Sequence, residues 1–171
     1  ENLSVKAKSA TFVKEVKIQG NSVFDIETLD LARSGFANTK IMKFISKTTL
    51  LADRVWRNRG QILGEISLIF KNHCLANWGQ IHSNGSLDLT ALGFNNLGGS
   101  FHGERGVDIT LSQQFCNPNG KISSGGVTHI RLQKMRNTGR GDLDELGDIS
   151  GRKVILEDLS GAEHFTLNKG T

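Results

Sequence analysis

Asn77-Trp-Gly79-Gln-Ile81-His-Ser-Asn-Gly85-Ser-Leu87-Asp-Leu89-Thr-Ala91 is the stretch whose reading decides the fold. An Asn-x-Gly phrase is followed by one apolar residue, a short polar step, and a run in which apolar and polar residues alternate. The opening phrase returns at Asn58-Arg-Gly60, Asn96-Leu-Gly98, Asn117-Pro-Asn-Gly120 and Asn137-Thr-Gly139, so the steps between asparagines are 19, 19, 21 and 20 residues. A period near 20 that recurs in this way marks a solenoid, in which no repeat can bury its apolar face without its neighbours.

Ile62, Ile81, Phe101 and Ile122 each follow one of these phrases, and alternating runs come next: residues 66–70, 87–91, 107–111 and 127–132. Alternation at period 2 puts apolar residues on one face, as a strand with one buried side requires. A third apolar mark, Phe94, Phe115 and Met135, falls just before the next asparagine, so each repeat offers three inward faces. The expected fold is all-β: a single parallel β-helix of about eight coils, roughly 40 Å of stacked sheet, right-handed as parallel crossovers are. Ile62, Ile81, Phe101 and Ile122 should form one inward column, and Leu68, Leu89 and Ile109 a second.

Corner positions form the expected structural ladder: Asn58, Asn77, Asn96, Asn117 and Asn137, with Gly60, Gly79, Gly98, Gly120 and Gly139. Asparagine tolerates the left-handed region, and its amide can bond like neighbours above and below. Glycine supplies a tight turn that a Cβ would strain.

All 171 residues read as one solenoid domain. Residues 1–57 keep the alternation without the regular punctuation, which gives two to three irregular coils with corners at Gly20, Asn21, Gly35 and Asn38. Residues 49–56 could form a helical turn in isolation, but pairing with the next coil should override it. Residues 58–137 are the regular repeats. Residues 138–171 are looser: the step to Asn168-Lys-Gly170 is 31, and the surplus falls in an acidic loop with Asp142, Asp144, Glu145 and Asp148. That loop lacks the spacing and terminal Glu of an EF-hand. Strands are expected to resume at 154–156 and 165–167.

No apolar run of 18 residues and no signal-peptide pattern at Glu1 occur, so the chain reads as soluble and as a segment of something longer, its end coils continued or covered. Cys74 and Cys116 sit at different offsets from their asparagines and read as free thiols. The net charge of +4 is uneven, at +5, +2 and −3 for residues 1–60, 61–136 and 137–171. Nucleic-acid binding is poorly supported, because tyrosine is absent and no aromatic residues interleave the lysines.

The repeat, Asn-x-Gly-x-Ile followed by a small or Gly-rich step and then Leu-x-Leu or Val-x-Ile, resembles the hemagglutinin repeats of filamentous hemagglutinin-like exoproteins. Residues 77–91 and Asn96-Leu-Gly98-Gly99-Ser-Phe101 carry the resemblance most clearly, and it covers residues 58–137. Asn117-Pro-Asn-Gly120 also resembles the family's secretion-domain motif, although Lys121 here separates the glycine from Ile122. The resemblance implies a right-handed β-helical rod, secreted or exposed at a cell surface, with no catalytic residue to carry over and no cofactor. Its partners would be a protein or glycan on a target surface and the flanking coils of the same polypeptide.

Three sets of outward residues are candidate binding positions. Asp88 and Asp108 occupy the same place in consecutive repeats, which would set their carboxylates about 5 Å apart. Polysaccharide-cleaving enzymes use paired acids at such a distance, while two solvated carboxylates are the simpler reading, in the absence of a basic cluster at matching offsets. His82 and His102 form a second stack, one coil apart. Two imidazoles can hold a transition metal, but the equivalent positions in the flanking repeats are Leu63 and Ser123, so no metal is expected. His73, His129 and His164 show no matching offset. Trp56 and Trp78 read as corner residues one repeat apart; stacked at an outer corner they would make a sugar platform, with Trp78 as its binding position, while partly covered packing residues are the simpler reading. Two functions follow: a non-enzymatic structural, adhesion or display module, or a carbohydrate-acting β-helix using Asp88 and Asp108.

Overall fold

Residues that alternate apolar and polar every second position form strands here, and none of the described residues is helical. The computed structural model describes residues 3–11, 16–18, 21–31, 36–52, 54, 56–70, 72–133, 147–159 and 164–167. Apart from the last two, successive strands among the described residues do not pair with each other. They pair with their counterparts one repeat away, in parallel, which is the topology of a β-solenoid with a spacing near 20 residues.

The first face is an eight-stranded parallel sheet: β1 (Leu3–Lys6), β4 (Ser22–Asp25), β7 (Ile41–Phe44), β10 (Gln61–Leu63), β13 (Gln80–Ser83), β15 (Ser100–Gly103), β17 (Lys121–Ser124) and β19 (Asp148–Ser150). The second face contains β2 (Ser9–Thr11), β5 (Thr28–Leu31), β8 (Thr48–Ala52), β11 (Ile66–Phe70), β18 (Val127–Leu132), β20 (Lys153–Asp158) and the first halves of β14 (Ser86–Asn95) and β16 (Gly106–Cys116). β3 (Val16–Ile18), β6 (Phe36–Asn38), β9 (Trp56–Asn58) and β12 (Cys74–Asn77) form the third face with the second halves of β14 and β16. The register between β14 and β16 shifts at Ala91/Gly93, where an irregularity lets both strands turn from the second face to the third.

The expected eight coils become about six complete turns. Two faces have eight rungs, but only six rungs include a third-face strand among the described residues. At the other end β21 (His164–Leu167) runs antiparallel to β20, with Leu156 opposite Phe165. Strands resume at 154–156 and 165–167 as the sequence indicates, but the second does not continue the looser coils expected there. Only residues 159–163 separate β20 from β21, too few for another circuit, so the chain doubles back as a hairpin and covers the sheet edge. Asn137, Gly139, Met135, the acidic positions 142–145 and the Asn168 corner lie outside the described residues. The described residues of 49–56 form no helical turn: 49–52 belong to β8, paired on both sides, and Trp56 opens β9.

Register assembles the core. Met42, Ile62, Ile81, Phe101 and Ile122 stand in one column, each at most 2 % exposed. Leu29, Leu50, Leu68, Leu89, Ile109 and Ile130 form a second. A third runs Phe36, Trp56, Leu75, Phe94 and the partly buried Phe115. Burying each large aliphatic side chain stabilises the fold by about 1.5–3 kcal/mol. Two threonines flank a further inward column, Ile66, Leu87 and Val107, without an unmet hydroxyl. Thr48 Oγ1 donates to the Ile26 carbonyl at 2.6 Å, and Thr128 Oγ1 to that of Ser150 at 2.7 Å.

Five buried asparagines form a hydrogen-bonded spine. The Nδ2 of Asn38 donates to Oδ1 of Asn58 (2.9 Å), Asn58 to Asn77 (2.8 Å), Asn77 to Asn96 (2.7 Å) and Asn96 to Asn117 (2.7 Å). The remaining amide hydrogens reach backbone carbonyls, as from Asn58 to Gln80 at 3.2 Å and from Asn77 to Ser100 at 3.2 Å. None of these five asparagines has the left-handed backbone the sequence suggested; among non-glycine described residues Asn119 alone does, in the turn closed by Gly120 N–H to the Asn117 carbonyl. They are strand-end residues facing inward, held by their amides.

Glycines that follow these asparagines are required by close approach at two corners. A Cβ on Gly79 would lie 2.1 Å from the Gly60 carbonyl oxygen of the adjacent rung, and one on Gly120 equally near the Asn96 carbonyl. Gly98 differs. The register sets Gly99 opposite the Gly79 and Gly120 positions, and Gly98 is an inserted residue at φ +67° with open space where a Cβ would stand.

Candidate functional site

Inward columns imply outward columns, because the same register that stacks the core also stacks the alternate residues. On the second face Ser67, Asp88, Asp108 and His129 line up rung upon rung. Asp88 and Asp108 are therefore neighbours on the outer surface, as their spacing indicated. Partial burial pushes the Asp88 carboxyl above its ordinary range, the charges of Asp108 and Glu65 push it further the same way, and Lys47 opposes.

Asp108 has a basic partner that its offset did not suggest. Arg131, two residues beyond His129, hydrogen-bonds Asp108 through Nη1. Its Nη2 donates to His129 Nδ1 at 2.8 Å, and its Nε lies 3.4 Å from Glu157 Oε2. Since a guanidinium only donates, His129 Nδ1 must accept, and Nε2–H then donates to Glu157 Oε2 at 2.9 Å. His129, which showed no matching offset in the sequence, continues the aspartate column. These four side chains form a connected network that neutralises Asp108 and leaves Asp88 at its edge.

On the first face Leu63, His82, His102 and Ser123 form the outer column. The imidazoles of His82 and His102 stand 5.0 Å apart between centroids, with planes 32° apart. Glu104, in the turn after β15, places Oε1 3.3 Å from His82 Nε2 and 3.5 Å from His102 Nε2. The flanking repeats add no ligand in register, but the coil of His102 itself supplies a carboxylate.

The two tryptophans are not a pair. Trp56 is 1 % exposed, opposite Leu75, and packs against Phe36 and Phe70 with centroids 4.8 and 5.6 Å away. Trp78 is outside and 38 % exposed. The Arg59 guanidinium lies 5.4 Å from its ring centroid, a cation–π contact. Gln61 and Gln80 join their side-chain amides beside it at 3.1 Å. Arg59, Gln61, Trp78, Gln80 and Ser100 line a surface concavity of about 340 Å³.

Neither Cys74 nor Cys116 is in a disulfide, and burial raises the Cys74 thiol above its ordinary value, which favours the protonated form over the nucleophilic thiolate. Among the described residues no helix is long and apolar enough to cross a membrane. The chain matches no family model, and no curated protein or solved structure is significantly similar to it.

Proposed function

We propose that this chain is a non-enzymatic structural and display module, a length of β-helical rod from a secreted or cell-surface exoprotein of the filamentous hemagglutinin-like kind, which contacts a glycan or protein through its outer face. The observation that carries this reading is the Trp78 corner. An exposed indole, a guanidinium stacked beside it and two side-chain amides project from neighbouring rungs of a rigid frame. Aromatic faces with adjacent amide donors and acceptors suit the alternating apolar and hydroxyl surfaces of a sugar. The Asn-x-Gly repeat, the apolar columns and the amide spine all serve extent and stiffness.

The carbohydrate-enzyme reading draws on one observation, the raised carboxyl of Asp88 beside Asp108. A catalytic pair needs two carboxyl groups free to exchange protons or attack, and here Asp108 is tied to Arg131. Display is therefore the better-supported reading. In a glycan and protein array, the wild-type chain is expected to bind a restricted set of ligands, and Trp78→Ala to weaken that binding at least tenfold, about 1.4 kcal/mol. Trp78 lies outside the buried core, so circular dichroism should stay unchanged. Equal binding by wild type and Trp78→Ala would remove the corner from the interface.

A further inference from the structure

Glu104 closes a triangle that the two stacked histidines begin. Pairing of β13 with β15 sets His82 beside His102, and Glu104 turns back over both. One ring nitrogen of each histidine and the Glu104 carboxylate oxygen lie within 4.8 Å of one another. Two supports fix the arrangement. The Glu104 backbone N–H donates to the Ser83 carbonyl at 3.0 Å, and His102 Nδ1 lies 2.8 Å from Ser123 Oγ.

The two edges to Glu104 are those of ligands around a small ion. With metal–ligand bonds of about 2.0–2.1 Å, two ligands of a tetrahedral ion stand about 3.4 Å apart. The two histidine-to-carboxylate edges, 3.3 and 3.5 Å, have that length. When His102 Nδ1 donates to Ser123, the lone pair is left on Nε2, which is the atom that faces Glu104. An outer hydrogen bond that fixes the tautomer in this way is the usual companion of a ligating histidine.

We propose that His82, His102 and Glu104 form a surface site for a divalent transition metal ion such as Zn²⁺, which clamps two adjacent rungs and leaves one coordination position facing solvent. Two imidazoles and one carboxylate suit Zn²⁺, Ni²⁺ or Cu²⁺, whereas Ca²⁺ and Mg²⁺ demand shells of oxygen. The site is separate from the Trp78 corner, and its existence does not depend on the display reading.

Calorimetric titration of the intact chain at neutral pH tests this directly. One equivalent of ZnCl₂ should bind, and CaCl₂ should not. His82→Gln and Glu104→Gln should each weaken zinc binding at least tenfold, and Ser123→Ala, which removes only the outer partner of His102, by about tenfold. His73→Ala should have no effect. Ring-nitrogen NMR should show zinc moving the Nε2 signals of His82 and His102 and not those of His129. Absence of zinc binding by the wild-type chain would overturn the proposal. So would undiminished binding by His82→Gln/His102→Gln, which would assign the metal to other groups.

Discussion

Replacing Trp56 with alanine is expected to lower stability by about 4 kcal/mol, within the range for truncating a fully buried aromatic residue. The ring is 1 % exposed on the third face, wedged between Phe36 of the same face and Phe70 of the second, where the columns of successive rungs cannot move together without breaking strand pairing on both sides. Its indole Nε1 is buried without a hydrogen-bond partner. Trp56→Phe should therefore be far milder, at less than about 1.5 kcal/mol, because it keeps most of the ring and removes an unsatisfied donor. Urea unfolding of the three proteins measures the order. An alanine variant within about 0.5 kcal/mol of wild type, the range of surface substitutions, would place Trp56 outside the core.

Asn77→Ala is expected to cost about 3–5 kcal/mol, because it deprives several buried neighbours of partners at 1–3 kcal/mol each. Asn77 accepts from Asn58, donates to Asn96 and donates to the Ser100 carbonyl, all inside a spine with no solvent to substitute. The spine predicts non-additivity. Asn58 and Asn77 share one hydrogen bond, so the Asn58→Ala/Asn77→Ala double variant should be destabilised by less than the sum of the single variants, by about 0.5–3 kcal/mol. Strict additivity in chemical unfolding would show that the asparagines act as separate corner residues.

The inward half of the molecule was legible because one register governs it. A period near 20, with apolar marks at fixed offsets, suffices to align Ile62, Ile81, Phe101 and Ile122, and Leu68, Leu89 and Ile109. Parity would also have separated the tryptophans. Trp56 precedes Asn58 by two and shares its inward side, whereas Trp78 follows Asn77 by one and points out. Contacts on the outside were harder to read, because long side chains reach diagonally between columns. Arg131 stands in register with Thr110, yet its guanidinium reaches Asp108. Glu104 lies in a turn, off the strand register, and the only hint in the sequence is its place two residues after His102. The final hairpin escaped notice because residues 165–167 have the same alternation whether the strand runs parallel or antiparallel.

The most direct test of a module that displays and does not catalyse is a turnover assay. The chain and its Asp88→Asn/Asp108→Asn variant are incubated with a panel of neutral and acidic polysaccharides, and new reducing ends and unsaturated products are measured. The predicted result is background release from both proteins, with ligand binding retained by the wild type. Product release by the wild type that falls to background in the double variant would contradict the display reading and assign Asp88 and Asp108 to catalysis.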